Sequence, residues 1–109
     1  MTQPSNNAYG SPAKTEAEPT NGPSEDQRCY LGRFCDLVDI ALAHGRKLIF
    51  DPQKERGSIN SWRVRVYIGK KEVIEPVGSG DFIQAHDKAQ MFVHKINKAY
   101  GKQVAEVRP

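Results

Sequence analysis

The chain has 109 residues, with sixteen Lys and Arg against thirteen Asp and Glu, a net charge of +3. That length allows one small domain with a modest core. No apolar run reaches membrane-spanning length, so no membrane partner is expected, and two cysteines without a CxxC spacing argue against a disulfide framework or a zinc site.

The first 24 residues hold four of the seven prolines, and Tyr9 is their only large apolar side chain after Met1. Such a segment buries too little surface to offset its ordering entropy, so residues 1–24 are expected to be a disordered tail. Charge divides at the same place. Up to Glu25 there is one lysine against three glutamates, whereas residues 26–109 carry fifteen basic against ten acidic side chains, a net of +5. A basic domain suits an anionic partner, although many solvated surfaces carry as much charge. The N-terminus is polar and no secretory signal is expected. Cys29 and Cys35, on one predicted helix, stand about 9 Å apart along its axis and are expected to be free thiols of a reducing compartment, cytoplasm or nucleus.

Ser24 opens a capping-box pattern with Gln27. Leu31, Phe34, Leu37, Val38, Ala41 and Leu42 recur at helical period, and His44-Gly45 ends them, which predicts a first helix over residues 25–44. Lys47 to Phe50 is a short strand that Asp51-Pro52 is expected to break. Residues 53–61 form a polar loop around Gly57. From Trp62 the pattern alternates: Trp62, Val64, Val66 and Ile68 on one face, Arg63, Arg65 and Tyr67 on the other. Residues 61–68 are the second strand, Gly69-Lys70 its turn and residues 72–77 the third strand. Gly78-Ser79-Gly80 reads as a flexible joint. Ala85, Ala89, Phe92, Val93, Ile96 and Tyr100 mark a second helix that starts between Asp81 and Ala85 and ends near Gly101. Residues 102–109 are expected to fray. The predicted fold is α+β, an α-β-β-β-α two-layer sandwich. Its three-stranded antiparallel sheet carries both helices on one face, over residues 25–101.

Catalysis finds little footing. His44, His86 and His94 have no Ser-His-Asp or Cys-His arrangement around them. His86 and His94 are more than two helical turns apart, too far to share a metal. No catalytic residue, cofactor or metal site is expected. Trp62 alternates with Val64 and Val66, which favours burial over a stacking platform for bases. Tyr67 with Arg63 and Arg65 forms a face that either binds a partner or is simply solvated.

The order of these segments resembles the double-stranded RNA-binding domain family across residues 27–100. The resemblance rests on His44-Gly45 closing the first helix and on the strand aromatic Phe50. It continues through Gly57-Ser58-Ile59-Asn60-Ser61-Trp62-Arg63-Val64, the Ile68-Gly69-Lys70-Lys71 hairpin, Gly78-Ser79-Gly80 before the second helix, and Ala89 within it. It implies recognition of duplex RNA by shape, across two minor grooves and the major groove between them. Asp39 of the first helix would then face a 2′-hydroxyl. Lys54, Arg56, Ser58 and Asn60 would be carried by the loop into a second minor groove. His86, Lys88 and Gln90 would stand where the second helix grips phosphates. The family's lysine pattern here reads His86-Asp87-Lys88-Ala89-Gln90. Each expected lysine is replaced and Asp87 opposes phosphate, which implies weak binding. The alternative is a protein-interaction module of the same fold, docking through the first helix or through the outer sheet face around Tyr67.

Overall fold

The computed structural model describes residues 22–108. The predicted tail therefore lies outside the described residues, apart from Gly22, Pro23 and Ser24. The chain is α+β, with three helices and a five-stranded mixed sheet among the described residues.

The capping box at Ser24 forms as expected and starts α1, Glu25–Leu31, with the Gln27 amide donating to Ser24 Oγ. The single first helix does not form. Gly32 takes φ 58° and ψ −131°, a conformation that residues with a side chain rarely adopt, and the chain restarts as α2, Arg33–Ala43. The apolar stripe hid this break because its helical period continues across the glycine.

Strand β1 runs Leu48–Lys54 and β2 runs Trp62–Ile68, paired antiparallel with Leu48 opposite Ile68 and Lys54 opposite Trp62. Pro52 lies inside β1 and does not break it. Leu48 N donates to Val104 O and Phe50 O accepts from Arg108 N, so even-numbered residues of β1 turn their backbone groups away from β2. Pro52 is next in that series, beyond the last partner, where a missing N–H costs no ladder bond. Strand β3, Lys71–Ile74, pairs antiparallel with β2 through a register shift, and β4, Ser79–Gly80, continues along the same edge of β2. The expected third strand is thus shorter, and the expected glycine joint contains a strand.

Helix α3, Phe82–Tyr100, falls within the predicted bounds. Asp81 caps it: Gln84 N donates to Asp81 Oδ1, and Asp81 N donates to Gln84 Oε1. Gly101 closes it in the left-handed region. The segment expected to fray instead forms β5, Ala105–Val107, parallel to β1. Val104 and Ala105 are fully buried there. Asn97 anchors this return. Its Oδ1 accepts from the amides of Val104 and Ala105, and its Nδ2 donates to Ala105 O. The sheet order is β3-β2-β1-β5, with β4 beside β2.

One face of the sheet, with Leu48, Phe50, Val64 and Val66, packs against Cys35 and Val38 of α2 and Ala85, Ala89, Ile96 and Tyr100 of α3. Phe34, Phe50 and Phe92 meet ring to ring at 5.2–5.8 Å. Cys35 is buried and Cys29 exposed, both as free thiols. Among the described residues no helix is long and apolar enough to cross a membrane, and no cluster of His, Cys, Asp and Glu could hold a metal ion.

Candidate nucleic-acid interface

The loop between β1 and β2 is closed by its own backbone and by Ser58. Glu55 N donates to Ser61 O at 2.7 Å, and Ser58 N donates to Glu55 O. The Ser58 hydroxyl lies 2.9 Å from Glu55 O and 3.1 Å from Ser61 O, while Ser61 N donates back to it. Ser58 therefore holds the loop's shape from within. Gly57 supplies the positive φ, 80°, that the tight turn requires. Asn60 reaches out of the loop, and its Oδ1 accepts from Phe82 N at 3.3 Å. That bond joins the loop to the first turn of α3.

Beside this bond three rings gather. Trp62 of β2 meets Phe82 edge-on at 5.0 Å, and His86 lies 4.1 Å from Phe82 and 5.8 Å from Trp62. His86 Nδ1 donates to Phe82 O at 2.9 Å. That bond leaves only Nε2 of the ring free to meet a partner. Lys88 lies on one flank of α3, its stem against Gly78, so that a Cβ at Gly78 would meet Lys88 Cδ at 3.0 Å. Gln90 lies on the other flank, bordering a groove of about 590 Å³ with Asn97 and Val107. His86, Lys88 and Gln90 therefore do not converge.

Asp39 lies against Tyr100, the last residue of α3, which is about 27 Å from Phe82 by helical rise. Its Oδ2 accepts from Arg28 Nη2 and its Oδ1 from the Tyr100 hydroxyl, both at 2.9 Å. The side-chain hydrogen bond and charge of Asp39 raise the Arg28 pKa. Burial first, and then the hydrogen bond to Asp39, push the Tyr100 phenol well above its ordinary value of 10.0. Asp39 thus ties α1, α2 and α3 together.

Lys54 and Arg56 are exposed and have no ion pair among the described residues. Both border a polar hollow of about 450 Å³ with Gln53, Glu55, Arg65, Tyr67 and Glu72. The remaining cations of the outer sheet face are committed. Arg63 pairs with Glu55, Arg65 with Glu72 and Arg108 with Asp51. Arg108 also lies over the Tyr67 ring at 5.2 Å, and Gln53 Nε2 donates to the Tyr67 hydroxyl.

Phe82 and Ile83 were not among the residues expected to carry function, because they fell in the approach to the second helix. The signal was present. Asp81 with Gln84 three residues later is a capping box, and Phe82 stands at helical spacing from Ala85, His86 and Ala89. The chain matches no family model, no curated protein and no solved structure with which it was compared.

Proposed function

We propose that this domain binds double-stranded RNA weakly, reading duplex shape through phosphates and 2′-hydroxyls, and that it acts by binding rather than by catalysis. The observation that carries this reading is the hydrogen bond from Phe82 N to Asn60, which makes the loop and the start of α3 one continuous surface. Lys54 and Arg56 give that surface exposed cations that form no ion pair among the described residues. Asp39, its side chain about half exposed beside Tyr100 at the opposite end of α3, offers a second polar contact apart from the loop. The residues left for phosphate are few, so the affinity is low and its dependence on salt is shallow.

The test is a titration of the full chain with an RNA duplex and a DNA duplex of equal length at two salt concentrations. Binding at low salt, a preference for RNA, and loss of affinity at high salt are expected. Equal binding to both duplexes would reduce the interaction to a general charge effect.

One observation favours a second reading, a protein-interaction module. Between α2 and β3 lies a groove of about 520 Å³ lined by Leu37, Ile40, Ile68 and Val73, with Ile40 half exposed. Binding of duplex RNA unaffected by changes in this groove would keep the two surfaces separate.

A further inference from the structure

The junction of loop and helix carries more apolar surface than phosphate recognition needs. Ile59 is 94% exposed, Ile83 66% and Phe82 49%. All three belong to the two segments joined by the Asn60 bond. Leaving such side chains in water forfeits the stabilisation their burial would bring. The Phe82 ring is also held in place. It packs on Trp62 and His86, and its own amide and the helix cap behind it are both bonded. It is a rigid aromatic with about half its surface open.

Charge indicates what the open half would take. Lys54 stands opposite Trp62 in the β1–β2 ladder, and Arg56 follows two residues later. The Asp81 carboxylate is engaged as the helix cap. Asp87 is the opposing exposed charge, on the solvent side of α3. A partner combining a flat π-face with phosphates matches an open aromatic bonded to a loop that carries the exposed cations Lys54 and Arg56.

We propose that Phe82 is a stacking platform for an unpaired nucleobase, so that the module prefers duplex RNA with a bulge or overhang to continuous duplex. This rests on the RNA reading above. Within a continuous duplex both faces of each base are covered by neighbours, whereas an unpaired base beside the helix offers a free face.

The test titrates the full chain against a perfect RNA duplex of about 20 base pairs and the same duplex with one unpaired adenosine. The bulged duplex is expected to bind about tenfold more tightly, the scale of one base stacked on an aromatic side chain. Phe82→Leu keeps an apolar side chain against Trp62 but removes the π-face, and should bring the affinity for bulged duplex down to that for perfect duplex. Phe82→Tyr should retain the preference. The emission of Trp62, the single tryptophan, should change with the bulged duplex only. Equal affinity of the parent for both duplexes would overturn this inference and leave the RNA reading standing. Binding to neither would overturn both. A preference that survives Phe82→Leu would overturn the assignment of the platform to Phe82.

Discussion

The carboxylate of Asp39 accepts hydrogen bonds from Arg28 and Tyr100, and so joins three helices at one point. Tyr100→Phe removes that phenol bond from a nearly buried site and should cost about 1 kcal/mol near neutral pH, measured by denaturant unfolding. The pH dependence has a definite sign. The folded-state pKa of Tyr100 lies above its unfolded value of 10.0, so the phenol's contribution is complete below pH 10 and declines as pH rises toward the folded value. The stability difference between parent and Tyr100→Phe should therefore shrink above pH 10. Asn97 is a comparable tie, with three bonds to the segment entering β5. Asn97→Ala should destabilise by about 2–3 kcal/mol and speed amide exchange at Val104 and Ala105. Neither tie was legible beforehand. Periodicity separates the apolar face of a helix from its polar face, but it does not say which polar side chain meets which partner. The apolar positions were readable for that reason: Ala85, Ala89, Ile96 and Tyr100 are all buried where the helical period puts them.

At the scale of elements, sequence and structure differ where local signals are short. The second predicted helix was legible because six apolar positions and a terminal glycine agree over nineteen residues. The break at Gly32 was not, because one glycine inside a periodic stripe is tolerated in many helices. The two descriptions predict opposite signs for Gly32→Ala. In a continuous helix the alanine stabilises by about 1 kcal/mol. At φ 58° and ψ −131° it is strained, although nothing lies within 4 Å of the added Cβ, and should destabilise by about 1–3 kcal/mol. A thermal melt decides between them. Strand β5 escaped notice because three residues cannot display a period and its pairing partner lies more than fifty residues upstream. Removing residues 102–109 would have no effect on stability if they frayed. Here it exposes β1 and the core beneath Val104, and should lower the melting temperature by more than about 5 °C, what a loss of 1 kcal/mol or more produces in a domain of this size.

Over the whole molecule, the charge of +5 on residues 26–109 is not spread freely. Arg28, Lys47, Arg63, Arg65 and Arg108 are held in ion pairs, so the outer sheet face is close to neutral while the loop cations are not. Composition revealed the sum, and only the fold shows which charges remain for a polyanion. Lys54→Ala with Arg56→Ala should weaken binding to an RNA duplex and flatten its salt dependence by up to about 2 units of slope. Asp87→Lys with Gln90→Lys, both at exposed positions of α3, should strengthen binding and steepen that slope. All of this turns on duplex RNA meeting the surface formed by the β1–β2 loop and the start of α3. An amide chemical-shift map of the full chain, titrated with an RNA duplex at low salt, reads that surface residue by residue. The largest shifts should fall over residues 54–61 and 81–86, with little change around Tyr67 and in β5. No shifts at millimolar RNA, or shifts centred on Ile40 and Val73 with the loop unmoved, would refute it.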